Sequence, residues 1–311
     1  MSRTYNNVIV FGPTGTIGGQ VALEAQRRGA TVWLAMRDTS KPIDEIPADV
    51  EKTGNFARIQ ADLSDPASVS TAITHSGAKA AYLYLIYTPD FTRASLQAMR
   101  DAGVEYVVFL SSYNVGTQGD EMRAIPRENW IPYAHAQVEI NIEDIGFPHF
   151  TALRPAWFAS NYFKTYFNGS STPARATIVF ENSIFDNIAP EDIALVGGAV
   201  LAQRPADGKK TIYLYGPERR TAKESWEVIK SVTGREIDTT PSSPAQFTEV
   251  LSGNGIPAFL IDYLLGAFDK AKAGFSEAEY QRDVGNFKKY TGRELTKFAD
   301  YIQAHKAEWL A

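Results

Sequence analysis

Cysteine is absent from all 311 residues, which excludes disulfides, zinc thiolates and cysteine nucleophiles and leaves nothing that argues for an oxidising compartment. Histidine is scarce. Its four copies, at positions 75, 135, 149 and 305, have neither His-x-x-x-His spacing nor an acidic cluster beside them, so no metal site is expected. No G-x-S-x-G elbow and no Ser-His-Asp order is present. Excess positive charge is also missing: the 31 Lys and Arg and 36 Asp and Glu are interspersed and sum to −5, so direct nucleic-acid binding is not expected. No apolar run reaches the roughly 18 residues that span a bilayer, and Met1 to Asn7 enters the first strand without a secretory-leader pattern. A cytoplasmic protein without a membrane association is expected. What is plentiful is core-forming material, with 44% hydrophobic residues in a chain long enough for two domains or one enlarged α/β domain.

Val8-Ile9-Val10-Phe11 runs into Gly12-Pro13-Thr14-Gly15-Thr16-Ile17-Gly18-Gly19, a short apolar strand breaking into a glycine-rich turn. A tight turn needs residues without a Cβ, and the exposed N–H groups and positive dipole end of a following helix suit a pyrophosphate. The required context is present: a helix over Gln20 to Arg28 and a second strand over Thr31 to Met36. The bland alternative is a glycine turn that only packs helix on strand.

Strand and helix signals then alternate. Further strands are expected at Ala57 to Gln60, Ala80 to Ile86, Tyr106 to Leu110 and Phe150 to Arg154, and helices at Phe91 to Ala102 and Ile131 to Ile145. Ser64-Asp65-Pro66 caps another helix. Continuous apolar strands joined by helices predict an α/β fold, a doubly wound parallel sheet of Rossmann type covered on both faces. Residues 1–156 are read as the dinucleotide-binding domain, with a strand near 211–215 returning to the sheet. Residues 157–311 are read as a smaller, mostly helical substrate region, with helices at Ser225 to Val232, Ile256 to Ala273 and Glu294 to Trp309. Pro241-Ser242-Ser243-Pro244 is the only linker-like run.

Several marks in order carry a family resemblance: the glycine turn with its G-x-x-G-x-x-G spacing, Arg37 after the second strand, Ala61-Asp62-Leu63 after the third, and Leu110-Ser111-Ser112 after the fifth. Leu153-Arg154-Pro155, Trp157-Phe158, Asn161 and Ile188 to Ile193 follow. Over nearly its whole length the chain resembles an NmrA-like member of the atypical short-chain dehydrogenase/reductase superfamily. That resemblance implies either an NADPH-dependent reductase of quinones, phenylpropanoids or fungal secondary metabolites, or a protein that binds NADP without turnover and regulates transcription through a partner.

The cofactor residues expected are Gly12, Thr14, Gly15, Thr16, Ile17 and Gly18 in the loop, with Arg37, Asp62, Leu63, Thr88, Ser111 and Arg154 at strand ends. An arginine after the second strand accommodates the 2′-phosphate of NADP, whereas a carboxylate holds the ribose of NAD. Met36-Arg37-Asp38 contains both, and Lys41 adds positive charge; NADP is expected, with a surface Arg-Asp pair as the alternative. The resemblance gives Asp62 an adenine contact, against a plain turn or cap. Arg154 either holds the nicotinamide side or pairs with a carboxylate inside the fold.

Short-chain dehydrogenases use Tyr and Lys at Y-x-x-x-K with a Ser after the fifth strand. Here Tyr133 has Gln137 at the lysine position, and a neutral amide cannot favour a tyrosinate. The resemblance places an alternative lysine at His135, counted from the helix end at Asp144-Ile145-Gly146. His135 is therefore the first candidate for general acid, Tyr133 the second, and Ser112 the group that orients a carbonyl oxygen. Their alternatives are a carbonyl-satisfied helix histidine, a core tyrosine and a serine that only satisfies backbone. Tyr113, Trp157, Phe158 and Tyr162 are candidate pocket walls for a flat substrate, against a plain aromatic core.

The reading is an NADPH-dependent oxidoreductase reducing a small aromatic or conjugated carbonyl compound, possessing no metal. The missing lysine keeps open a non-catalytic NADP sensor that acts through a protein partner, and an isomerase with a bound nicotinamide is a further alternative.

Overall fold

The computed structural model describes residues 3–310; Met1 and Ser2, part of the stretch read for a leader, lie outside the described residues. The apolar runs form strands β1 (Asn7–Phe11), β2 (Thr31–Met36), β3 (Phe56–Gln60), β4 (Ala80–Tyr84), β5 (Tyr106–Leu110), β6 (His149–Pro155) and β7 (Lys209–Leu214). They make one seven-stranded sheet in the order β7-β6-β5-β4-β1-β2-β3. Every pairing is parallel. Strand order reverses between β1 and β4, and ligands of such sheets bind at the carboxyl ends beside that reversal.

Alternate residues of each strand enter different cores, which is why the strands read as unbroken apolar runs. Val8, Val10, Val32, Leu34 and Tyr82 face one side, where α1 (Thr16–Arg27) contributes Val21 and Leu23. Ile9, Phe11, Leu83, Val107 and Phe109 face the other, against α2 (Pro66–Ser76), α3 (Arg93–Asp101) and α4 (Trp130–Ile145). Asp65 caps α2 by accepting from Ala67 N at 2.9 Å, with Pro66 at the first helical position.

The first face is completed from far along the chain. Helix α5 (Pro190–Ala202) buries Ile193, Val196 and Val200 in the same core as α1. The two helices meet at Gly197 and Gly198: a Cβ on Gly198 would lie 2.6 Å from Glu24 Cβ and 2.7 Å from Val21 O.

A third core gathers the aromatics of the C-terminal half around Trp226, Phe247, Phe268 and Trp309. It is built from α6 (Ala222–Thr233), α7 (Pro244–Gly253) and α8 (Ala258–Lys270), then, beyond α9 (Glu277–Asp283), which packs Tyr280 on Tyr215 outside this core, from α10 (Phe298–Ala304) and α11 (Lys306–Leu310). Two expectations change here. The linker-like run is the start of α7, with Ser243 and Gln246 forming a reciprocal capping box and Pro244 opening the helix. The expected single helix over Glu294 to Trp309 is two short helices, broken at His305.

The His305 ring bridges two carboxylates, Glu191 at the start of α5 at 3.0 Å and Glu308 in α11 at 2.7 Å. Partial burial lowers its proton affinity, but the two carboxylates outweigh that and raise its pKa above the usual 6.5. A raised histidine pKa stabilises the fold fully below the unfolded value and loses that contribution as pH rises through the folded value. His305→Gln is therefore expected to lower Tm most near about pH 6, the difference shrinking by about pH 9; melting curves of both proteins across pH check this.

Candidate cofactor and acceptor site

The glycine turn is built by close approach. Gly12 has φ +72°, and a Cβ there would meet the Tyr84 ring at 2.4 Å. A Cβ on Gly18 would lie 2.2 Å from Gly12 O, and one on Gly19 would lie 2.8 Å from Pro13 O. Gly15 differs, because an added Cβ meets only Gly12 O at 3.6 Å, an ordinary contact, and its φ of −91° suits any residue. The fold thus has no steric need for glycine at 15. Thr14 and Gly15 are exposed, Thr16 opens α1, and Ile17 packs against the core. The first turn of α1 has neither an acidic residue nor a side-chain cap, so its N–H groups and dipole are available to an anion.

A cleft of about 630 Å³ extends from this loop along the carboxyl ends of the strands. Gly12 and Thr14 border it from β1, Arg37, Asp38 and Lys41 from beyond β2, Asp62 and Leu63 from beyond β3, and Thr88 from beyond β4. These residues, distant in sequence, are brought together. Asp38 is engaged locally, accepting from Ser40 N at 3.0 Å and Ser40 Oγ at 2.6 Å. Those bonds, then Lys41, hold its carboxyl below the usual range. Asp62 likewise accepts from Ser64 N and Oγ at 2.9 and 2.7 Å, and these bonds together with the nearby Arg37 charge lower its pKa. It is a turn aspartate; the helix cap is Asp65. Thr88 Oγ1 accepts from Thr92 N at 2.7 Å, inside a turn where Phe91 and Thr92 take φ of 49° and 65°. Asn141 of α4 pins that turn by donating to Asp90 O and Phe91 O at 3.0 and 3.1 Å.

Tyr84, Ile86 and Tyr87 also line the cleft, and the sequence reading missed them. Their signal was position: Tyr84 ends β4 and Ile86 and Tyr87 follow it, at the carboxyl end next to the strand-order reversal.

Several expected contacts lie elsewhere. Arg154 is 1% exposed and committed within the fold: Nε and Nη2 donate to Glu139 at 3.0 and 2.8 Å, and Nη1 to Thr117 O and Tyr213 Oη at 2.8 and 2.9 Å. Burial works against its charge, and Glu139 more than offsets this. Ser111 is buried and donates to the same Glu139. Both are structural groups around one carboxylate rather than cofactor contacts. Tyr113 packs on Tyr213, Tyr215 and Phe275 in a separate cleft at the β7 edge. Tyr162 is 2% exposed, its hydroxyl donating to Asn187 at 3.0 Å. Trp157 is stacked between Phe185 and Tyr166, at 4.4 and 5.9 Å, and Phe158 packs on the first core. These four are walls of other packing, not of the glycine-loop cleft. A buried carboxylate, Asp186, fixes this region by accepting from Trp157 N at 2.8 Å and Gly216 N at 2.7 Å; burial raises its pKa to about 7.

The acid candidates separate clearly. His135 Nδ1 lies 2.8 Å from Ile131 O; a carbonyl only accepts, so Nδ1 carries the proton and the neutral ring has none on Nε2. Burial, with the Arg154 charge adding to it, pushes this imidazole down to about 4. The ring also packs toward Phe109 of β5, at 6.2 Å. His135 is thus neutral near pH 7 and corrects the expectation of an imidazolium acid. Tyr133, in the first turn of α4, is half-buried and stands edge-on to Phe91 at 5.6 Å, and its hydroxyl makes no hydrogen bond among the described residues. Ser112 is half-buried, with Oγ accepting from Asn114 N at 3.2 Å and its own proton free to donate.

No helix among the described residues is long and apolar enough to cross a membrane. A family described as NAD(P)H-binding matches residues 12–201. The nitrogen metabolite regulation-like protein bik4 of Gibberella fujikuroi is 35% identical over 317 residues, covering 97% of each chain. Among solved structures, the NADPH-dependent quinone oxidoreductase QOR2 of Escherichia coli has a TM-score of 0.73 at 20% identity, covering 96% of this chain and 99% of that one. Citrobacter sp. triphenylmethane reductase complexed with NADP(H) has a TM-score of 0.71 at 19% identity, with the same coverage. The glycine loop, the parallel sheet and the cleft at its carboxyl edge thus agree with these matches: the chain belongs to the NAD(P)H-binding family, among its NmrA-like members.

Proposed function

We propose that the protein is an NADPH-dependent reductase of small conjugated or aromatic carbonyl compounds, with Tyr133 as proton donor and Ser112 as the group that orients the carbonyl oxygen. The glycine loop and the start of α1 would hold the pyrophosphate, and Arg37, with Lys41 beside it in the cleft, would hold the 2′-phosphate. A guanidinium fork matches a phosphate bidentately, and the engagement of Asp38 with Ser40 supports this over ribose recognition. The cofactor, when bound, supplies the hydride. The proton must come from this chain. The observation that carries the reading is the unbonded Tyr133 hydroxyl, beside a turn that borders the cleft. A phenol is a stronger acid than the alcohol it would protonate, and donation in the reductive direction does not need a tyrosinate stabilised by lysine. Quinones, enones and dyes resembling the acceptors named for the similar proteins are the compounds to test.

A specific observation favours a second reading. Gln137 where a lysine is usual, together with a neutral His135, suits an NADPH-binding regulator that acts through a protein partner, as the name of the Gibberella relative suggests for that protein.

Titration with NADPH and NADH followed by an acceptor screen tests both. Tighter binding of NADPH is expected, as is turnover that falls about 100-fold or more in Tyr133→Phe, the usual worth of a general acid, with NADPH affinity unchanged. Ser112→Ala is expected to lower kcat as well, and His135→Gln to alter it little. Saturable NADPH binding without turnover on any acceptor supports the regulator; tighter NADH binding overturns the role given to Arg37.

A further inference from the structure

Beyond the cofactor cleft stands a group of rings from three separate segments. Trp130, the first residue of α4, lies nearly parallel to Tyr87 of the loop after β4, with centroids 6.1 Å apart and planes 22° apart. Phe259, near the start of α8, meets Trp130 edge-on at 5.1 Å, and Phe91 and Tyr133 flank it at 6.3 Å each. Trp130 is thus held on three sides, whereas Tyr87 is 67% exposed and makes no other ring contact among the described residues.

From this geometry we infer that Tyr87 and Trp130 form an aromatic clamp that receives the planar ring of the hydride acceptor and selects ring-bearing acceptors over open-chain ones. The inference rests on the proposed reductase reading and adds its specificity determinants. Carbon atoms pack best at about 3.5–4.0 Å, so a ring between two aromatic faces needs them about 7 Å apart. At this centroid distance the two rings are an offset pair in contact, so an acceptor ring enters by displacing Tyr87, which is exposed, and Tyr87 then closes on its outer face. Tyr87 also lines the cleft that borders the glycine loop, and Tyr133, the proton donor proposed above, touches Trp130. A ring in the clamp is therefore adjacent to both the dinucleotide cleft and the proposed acid. Loss of one aromatic face from such a stack weakens binding by up to about tenfold.

Tyr87→Ala and Tyr87→Phe, at an exposed position, keep the fold intact. Calorimetric binding of a bicyclic quinone to the NADP⁺-loaded protein is the readout, together with kcat/KM for that quinone and for a small open-chain enone. Tyr87→Ala is expected to weaken quinone binding and kcat/KM by about tenfold, with kcat/KM for the enone at saturating NADPH changed far less and Tyr87→Phe near the parent. Equal losses for both acceptors at saturating NADPH, or undiminished quinone binding, each overturn the clamp. Because quinone binding is read without turnover, a protein that binds the quinone through Tyr87 yet reduces nothing keeps the clamp and removes the reductase reading.

Discussion

Glu139→Ala is expected to destabilise the protein by about 3–5 kcal/mol, the cost of leaving a buried charge without its partner. Arg154 has no water to turn to: its side chain is 0% exposed and that of Glu139 is 3% exposed. Removing the carboxylate strands a guanidinium that two bonds from Nε and Nη2 now satisfy, and it takes away the acceptor of Ser111. Since domains are typically stable by about 5–15 kcal/mol, this is one of the largest single-residue effects the fold can show. Denaturant unfolding measures it. A paired Glu139→Leu with Arg154→Met removes both charges and is expected to recover most of the loss. A single-variant loss below about 1 kcal/mol would mean that water or a shifted side chain rescues Arg154, and that the pair is not the internal anchor described here.

The second large effect separates two glycines in one turn. Gly18→Ala puts a methyl 2.2 Å from Gly12 O and 2.9 Å from Gly12 C, and backbone at that distance cannot swing aside as a side chain would. The turn must change shape, so both Tm and NADPH binding are expected to fall, binding by about 100-fold or more, since a displaced loop forfeits several charge-assisted hydrogen bonds. Gly15→Ala meets nothing closer than 3.6 Å, so Tm is expected to stay within about 1–2 °C, whereas NADPH affinity drops at least about tenfold as the methyl fills room the pyrophosphate would use. Fluorescence titration and melting curves on the same samples give both quantities. Normal NADPH binding by Gly15→Ala would remove the pyrophosphate from that part of the loop.

The sheet was legible because both faces are covered: Val8 to Phe11 of β1 and Tyr106 to Leu110 of β5 are unbroken hydrophobic runs, and the glycine motif sits where a strand meets a helix. Thr88 follows from the rule that ligands of a parallel sheet lie at the carboxyl ends of its strands, Arg37 and Asp62 from the family resemblance, and all three border the cleft. What failed was the direction of polar side chains at those same ends. Ser111 and Arg154 are turned inward by one carboxylate, Glu139, from the middle of α4, and no local pattern reveals that a helix glutamate is buried. The histidine misled for a related reason: the residue type suits acid catalysis, but Ile131 O takes its proton-bearing nitrogen and burial keeps it neutral. The start of α7 was overlooked although its Ser-Pro-x-Gln signal is local, because a proline and serine run reads as linker unless the reciprocal cap is sought. The aromatics after Pro155 read as a substrate wall in the sequence, whereas most of them fill the third core.

The contact at Gly197 and Gly198 bears on how such a protein can change its acceptor. Because α5 comes so close to α1, the helix that opens on the dinucleotide leans on a segment encoded almost 180 residues later. Transplanting the C-terminal half of a relative onto this N-terminal half would therefore import a foreign buttress for the very helix that was meant to stay untouched. The rings proposed above as the acceptor clamp, in the loop after β4 and at the start of α4, can by contrast be exchanged without disturbing that joint.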